Sequence, residues 1–359
     1  MDGIEGSLRP LAMVIGALSI YWGARQIRSF GRAEIKHFYA ILGGIGLILI
    51  GLFATFFRHI AGLFGLQAAQ NGAIILLLLL AVFVLGLFVL VLLDRVERSK
   101  RSLDKLNRAM SFAEFRRSAE MQKLPDVGAR DILCIIPAYN EGENIGKVLE
   151  AFTDLDQNSL SVTVLVVDDG SGDTTGEAVQ TSAALHFRHL VNRGQGSALR
   201  TGYQFAKEFG FKYAVTLDAD GQNVPAEIHR LVEPLDQGQA DVVVGSRILG
   251  QHDITVPWRH WGVLFFTRLF NFLAGQKITD ISSGFKAATT EMLKKMYLYE
   301  DQFQSSEFLM VASKNGARLQ EVPIHFKRRS GGKSKKGNEI LYALSFTRVL
   351  TMSWLRYRN

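Results

Sequence analysis

Residues 213–223 read YAVTLDADGQN: an apolar run, Tyr213 to Leu217, ends in two carboxylates, Asp218 and Asp220, with only Ala219 between them. Two acids one residue apart, on the loop that leaves a strand, can both turn toward one divalent cation. Oxygen donors suit Mg²⁺ or Mn²⁺, which keep waters and share their shell with substrate phosphates. Gly221 lets the backbone approach closely, and Gln222 can add an amide oxygen. Asn223 lies just before Pro225 and can cap a helix expected over 225–236. Capping leaves the two aspartates unexplained.

Two further polar clusters follow apolar runs. Pro137-Ala138-Tyr139-Asn140-Glu141 comes after 132–136, and Asp168-Asp169-Gly170-Ser171 after 162–167. More strands are expected at 187–191, 213–217, 241–245 and 319–325, with helices at 143–153, 174–184, 197–209 and 225–236. Alternation of this kind indicates an α/β domain built on a mostly parallel sheet. Such sheets bind ligands beyond the carboxyl ends of their strands, so the three clusters converge on one crevice. Together they describe a nucleotide site with a metal.

The chain has 359 residues, enough for two units, and 48% of them are apolar. Its mean hydropathy of +0.11 is high for a soluble protein, and the excess lies before residue 95. Stretches at about 10–25, 38–57 and 73–93 are each apolar enough to predict a membrane span. Arg25, Arg28, Arg32 and Lys36 follow the first, and Arg95, Arg98, Lys100 and Arg101 follow the third. The loop between the second and third carries Arg58. The positive-inside rule then puts the N-terminus outside and the chain after residue 94 in the cytoplasm, on a multi-pass protein of the cell membrane. Gly43, Gly44 and Gly46 fall within the second span, where close helix packing explains them better than a nucleotide loop.

The expected domains are a membrane part (1–98), a juxtamembrane linker (99–130), a catalytic α/β part (131–325) and a basic loop with a C-terminal helix (326–359). Leu103, Leu106 and Met110 share one side of the linker, and Lys100, Arg101, Lys105 and Arg108 another. It is expected either to lie on the membrane surface or to stand in solvent. The segment 339–359 mixes Leu341, Leu344, Leu350 and Trp354 with Arg348, Arg356 and Arg358, suiting an interfacial helix or one packed on the domain. Cys134, the single cysteine, sits in an apolar run and reads as a small buried hydrophobe. A net charge of +7 suits anionic partners, but no nucleic-acid motif or aromatic platform accompanies it.

The ordered set IIPAYNEGENI, VVDDGSGDTT, NRGQGSALRTGY, TLDADGQNVPAEI, VVVGSR and DISSGF resembles inverting glycosyltransferase family 2. Within that family it is most similar to the polyprenyl-phosphate group, which makes dolichol-phosphate mannose and glucose. The membrane part likewise resembles a small three-span domain that accompanies sugar transferases. The resemblance covers roughly residues 131–340. It implies a GT-A fold, a nucleoside-diphosphate sugar donor, Mg²⁺ or Mn²⁺, a polyprenyl phosphate acceptor in the bilayer, and a homo-oligomer as an open option.

By position, the resemblance assigns Pro137, Tyr139, Glu141, Val167 and Asp169 to the nucleotide, with Asp168 supporting the same loop. It assigns Asp218 and Ala219 to the nucleotide as well, Asp220 and Gln222 to the metal, and Arg247 to the reacting phosphates. Arg329 and Lys335 of the loop KRRSGGKSKKG match a basic pair that folds over the diphosphate. That loop is not a P-loop, because Lys327 stands where the first glycine is required. At the acceptor phosphate Arg259 fits, but Val263 occupies the place of a serine, which leaves Ser283 or His260 to complete the site.

A lipid phosphate is already an anion near neutral pH. The transfer therefore needs cations around the departing diphosphate more than it needs a strong base. Processive polysaccharide synthases carry a Gln-x-x-Arg-Trp motif that is absent here. Transfer to another hydroxyl acceptor, or a non-catalytic partner with a vestigial sugar site, are the remaining rivals; intact Asp218, Asp220, Arg247 and Arg329 weigh against decay. Asp220→Asn is expected to abolish turnover with little loss of folding, measured by sugar-transfer assay beside thermal melts. Retained activity would contradict the metal assignment.

Overall fold

The computed structural model describes residues 10, 13–25, 40–41, 43–46, 48, 68–126, 131–153, 155, 161–252, 257–327 and 339–356. The chain divides into two compact units, Met1–Ser102 with Leu355–Asn359, and Leu103–Trp354.

In the first unit, residues 13–25 and 43–46 are helical and meet at two glycines. A Cβ on Gly16 would lie 2.6 Å from the Gly44 carbonyl oxygen, and one on Gly44 would overlap the Gly16 carbonyl. The Ser19 hydroxyl donates to the Ala40 carbonyl at 2.7 Å. Gly44 therefore serves helix packing, as its place in an apolar stretch implies. Among the described residues no helix is long and apolar enough to cross a membrane. Much of the expected span 38–57 lies outside those residues. The expected span 73–93 falls in the helix Ala68–Arg117, where the side chains of 68–81, 83, 84, 87, 90, 93, 94 and 97 lie outside the description.

The second unit is built on a seven-stranded sheet of order β3-β2-β1-β4-β6-β5-β7. Its strands are β1 (Ile132–Ala138), β2 (Val162–Asp168), β3 (Leu185–Arg188), β4 (Tyr213–Thr216), β5 (Val242–His252), β6 (Lys286–Thr289) and β7 (Leu319–Phe326). β1 is buried along its whole length and pairs in parallel with β2 and β4. This is why its sequence is a continuous apolar run rather than an alternating one. Cys134 sits there fully buried, and burial pushes its thiol pKa up.

The sheet departs from all-parallel at β6, which runs antiparallel between β4 and β5. Its four residues, Lys-Ala-Ala-Thr, carry no strand signal of their own. Because β6 is reversed, its N-terminal end meets the carboxyl ends of β4 and β5, and one rim collects both. β3 starts two residues earlier than expected, and the helices Pro257–Ala274 and Gln304–Lys314 come in addition to the expected elements.

The linker helix does not stand free in solvent. From Leu103 to Arg117 it docks on the catalytic unit through the face carrying Asp104, Asn107, Ser111, Phe112 and Phe115, all buried. The Phe115 ring lies 5.5 Å from Phe187, 5.1 Å from Phe205 and 6.0 Å from Phe209, centre to centre. The C-terminal helix, Glu339–Arg356, takes the second of its two expected settings and packs on the domain. Phe346, Val349, Leu350 and Met352 are buried, and the Phe346 ring lies 4.4 Å from Phe266. The linker docks because it has a second apolar pair, Phe112 and Phe115, that matches an aromatic surface of the domain.

Phe115→Ala is expected to cost the catalytic unit about 3 kcal/mol, a fall of roughly 6–12 °C in its melting midpoint. A change below about 1 °C, on the same scale, would mean the linker helix is not part of the folded unit.

Candidate functional site

The loops leaving β1 and β2 are laced together. Asn140 takes a left-handed φ of 53°, which asparagine tolerates better than most residues. Its amide donates to the Ser171 hydroxyl at 3.0 Å, and its side-chain oxygen accepts from the Gly172 N–H at 3.0 Å. The Glu141 amide donates to the Thr175 hydroxyl at 2.9 Å, and the Gly142 amide to Asp173 at 3.1 Å. Hydrogen bonding from Thr175 and Gly142 outweighs slight burial and holds the Asp173 carboxyl below its ordinary range. Tyr139 is 40% exposed beside this seam, and Pro137 and Val167 are buried beneath it.

Both acids of the second cluster face inward. Asp168 accepts from the Ser171 amide at 2.8 Å and pairs with His186 at 3.4 Å. Burial pushes its pKa up, but these hydrogen bonds prevail and lower it. Asp169 pairs with His189 at 2.7 Å and accepts from the amides of Arg193 and Gly194 at 3.0 and 2.6 Å. At 2% exposure it shapes the loop 189–194 from within, rather than presenting its carboxylate to the crevice.

That loop feeds the helix Gln195–Glu208, whose first residue reaches the acid pair: the Gln195 amide nitrogen donates to Asp218 at 3.1 Å. Gly284 approaches Asp218 so closely from the other side that a Cβ there would overlap the carboxylate. Asp218 and Asp220 are half-buried, and Ala219 between them is buried. Asp220 accepts from the Gln222 amide at 3.1 Å. Gln222 is joined to the end of β7: its carbonyl accepts from the Lys327 N–H at 2.8 Å, and its side chain donates to the Lys327 carbonyl at 3.2 Å. The basic segment therefore leaves from beside the acid pair. Arg329 and Lys335 themselves lie outside the described residues.

Arg247, at the carboxyl end of the central part of β5, is fixed by a buried acid. Asp280 accepts from Nε at 2.7 Å and from Nη2 at 2.8 Å, and the Ser282 hydroxyl accepts from Nη2 at 2.6 Å. Burial raises the Asp280 pKa, but the Arg247 guanidinium outweighs it and holds the carboxyl low. Behind it, Glu321 accepts from the amides of Thr279 and Asp280 at 2.8 and 2.9 Å. Burial pushes the Glu321 carboxyl above its ordinary value. Ser283, expected at the acceptor phosphate, is instead 2% exposed, with its hydroxyl turned to the Phe285 carbonyl. Ser282 is the serine that meets Arg247. Arg259 lies on the helix Pro257–Ala274, but its side chain is outside the described residues.

Residues 133–297 match the glycosyl transferase family 2 model. Polyprenol monophosphomannose synthase of Mycolicibacterium smegmatis is 34% identical over 229 residues, 59% of this chain and 83% of the relative. Undecaprenyl-phosphate mannosyltransferase of Micrococcus luteus is 32% identical, over 58% of this chain and 89% of the relative. The chain belongs to glycosyl transferase family 2. Among solved structures, glucosyl-3-phosphoglycerate synthase from Mycobacterium tuberculosis, crystallised with Mn²⁺ and UDP-glucose, shares its fold. The TM-score is 0.50 at 18% identity, covering 66% of this chain and 83% of that one.

In this family 2 glycosyltransferase, residues 137–141, 167–171, 218–222, 247 and 282–284 fall on one rim of the sheet. Among the described residues no three His, Cys, Asp or Glu side chains gather as a metal cage. The available donors are Asp218, Asp220 and the Gln222 amide oxygen. Such a partial oxygen set fits an ion whose shell is completed by phosphates and water.

Sequence reasoning missed Gln195 and Lys286. Lys286 is paired with Thr216 and Val244 in the sheet, two residues below Asp218 and three below Arg247. It is 1% exposed, donates to the Ser305 hydroxyl at 2.8 Å and lies 5.3 Å from the Phe308 ring centre. Burial pushes its pKa down to about 8, opposed by Asp218 and Asp280. Because Lys-Ala-Ala-Thr carries no strand signal, only the reversed β6 reveals that this lysine is buried and which acids it serves.

Lys286→Met is expected to raise the KM for the sugar donor about tenfold, because Asp218 loses the cation behind it. The unfolded chain holds this lysine near 10.5 and the folded one near 8. Between those values the unfolded state binds more protons, so the wild type gains stability as pH rises. The variant should therefore melt no lower than wild type at pH 7, and its advantage should fade by pH 10.5. A lower melting point at pH 7 with an unchanged KM would contradict this role.

Proposed function

We propose that this glycosyltransferase moves a hexose from a nucleoside-diphosphate sugar, of the GDP-mannose or UDP-glucose type, onto a polyprenyl phosphate at the cytoplasmic membrane face. The observation that carries it is the meeting, on one sheet rim, of the acid pair Asp218/Asp220 with a guanidinium that Asp280 holds at two points. Relatives named for polyprenyl phosphates support the acceptor. One of them, the dolichyl-phosphate N-acetylglucosaminyltransferase of Methanococcus voltae, is 33% identical over 84% of its length. The three apolar stretches with basic flanks support the membrane anchor and its orientation.

Tyr139 and Glu141 border the place where base and ribose would sit, on a ledge fixed by Asn140, Ser171 and Thr175. Asp218, held by Gln195 and backed by Lys286, would accept a hydroxyl of the donor. Asp220 and Gln222 would hold Mg²⁺ or Mn²⁺, which neutralises charge on a diphosphate when bound. In the transfer, the bond between the anomeric carbon and the donor's β-phosphate oxygen breaks. The electron pair leaves with the nucleoside diphosphate. An oxygen of the lipid phosphate forms the new bond from the opposite face, inverting the anomeric centre. No proton has to move. Arg247 is aligned before charge develops, so its stabilisation carries no reorganisation cost. Arg329 and Lys335 would add cations from the segment beyond Lys327.

Membranes holding the full chain would be incubated with radiolabelled GDP-mannose, UDP-glucose or UDP-N-acetylglucosamine and undecaprenyl or dolichyl phosphate. Label is expected in an organic-extractable lipid product for one donor, and to be lost in EDTA. Label confined to water-soluble or protein products would contradict the acceptor.

A further inference from the structure

The helix Ala68–Arg117 carries an apolar pattern that the catalytic unit leaves unused. Starting at Val96, alternating steps of three and four residues reach Ser99, Leu103, Leu106, Met110 and Ala113. The same steps run back unbroken through Leu92, Val89 and Leu85 to Val82. These positions are the a and d places of more than four heptads, with Ser99 the one polar member. Exposure is 53% at Val96, 55% at Leu103, 57% at Leu106 and 49% at Met110. The docked face of the same helix, with Asp104, Asn107, Ser111 and Phe112, lies on the other side and is buried.

The width of the stripe identifies what covers it. Between 82 and 93 the helix is apolar at most positions, as lipid requires. Beyond Val96 the flanking positions carry Glu97, Arg98, Lys100, Arg101 and Lys105, and the apolar surface narrows to the a/d line. Lipid tails do not select two positions in seven; a second helix of the same 3.5-residue period does. A copy of this chain supplies that period and length. At the lower end, Leu190, 50% exposed, lines the same apolar groove as Met110 and Ala113.

We infer that two copies of the chain associate through their Ala68–Arg117 helices, parallel and seam to seam, from Val82 to Ala113. The pairing would be an isologous twofold interface running roughly 48 Å along the helices. Its parallel sense rests on the membrane orientation proposed above, since copies inserted alike point their helices the same way.

Single cysteines introduced in the full chain, reconstituted in lipid nanodiscs and oxidised with copper phenanthroline, test this directly. Native Cys134 is fully buried in β1 and does not interfere. Leu106→Cys, at a d position, is expected to give disulfide-linked dimers, and Lys105→Cys, off the seam, to remain monomeric. Leu103→Glu with Leu106→Glu should reduce the light-scattering mass to that of one chain while sugar transfer persists. Wild-type protein that is monomeric at micromolar concentration, or equal crosslinking of the Lys105→Cys and Leu106→Cys chains, would overturn the proposal. Crosslinking between Val89→Cys and Leu106→Cys chains, when Leu106→Cys chains do not pair with one another, would overturn its parallel sense. Release of the chain by alkaline carbonate would count against the membrane reading alone, leaving the Leu106→Cys result to be scored separately.

Discussion

An ionised carboxylate at the end of a buried strand persists only where something compensates it, since an unpaired buried charge costs several kcal/mol. This rim satisfies that requirement repeatedly. Asp168 has Ser171 and His186; Asp169 has His189 and two loop amides; Asp280 has Arg247. Glu307, fully buried, accepts from the amides of Tyr299 and Glu300 at 2.8 and 2.9 Å. Each compensation also fixes a loop, so the crevice walls are shaped by the need to neutralise acids. Asp218 and Asp220 differ in being half-buried at the mouth, where a cation can reach them.

The linker helix belongs to the same network. Asp104 accepts from Ser197 and from Arg108, and lies 3.4 Å from Arg200. Burial raises its pKa, but these three partners outweigh it and lower it. Arg200 in turn donates to the Glu300 carbonyl at 2.8 Å and to Asp301 at 2.6 Å. Ser197 stands two residues past Gln195, which touches Asp218. A helix that looks like a spacer in the sequence is thus part of the mounting behind Asp218.

What was legible in the sequence follows from physics that acts locally. Continuous apolar runs revealed β1, β2 and β4, because strands buried on both faces need nothing else. The polar clusters after them revealed the rim. Much of the rest depended on long-range partners. β6 is four small residues whose strand state comes from pairing with β4 and β5 on either side. Leu103, Leu106 and Met110 gave the linker an apolar side in the sequence, yet it is Phe112 and Phe115 that dock it, because the domain presents Phe187, Phe205 and Phe209 to them. In the SSGF stretch the order of two adjacent serines decides which one meets Arg247, and that depends on the turn leading into β6.

The proposed reaction depends most on a divalent cation that Asp220 and Gln222, beside Asp218, would hold to make the donor's diphosphate bindable. Isothermal titration of the purified chain with GDP-mannose, UDP-glucose and UDP-N-acetylglucosamine, in Mn²⁺ and then in EDTA, measures this without any acceptor. One sugar nucleotide should bind in Mn²⁺ and lose at least about tenfold in affinity, or 1.4 kcal/mol, in EDTA. Equal affinity in both buffers, or no binding of Mn²⁺ or any of the three donors, would contradict it.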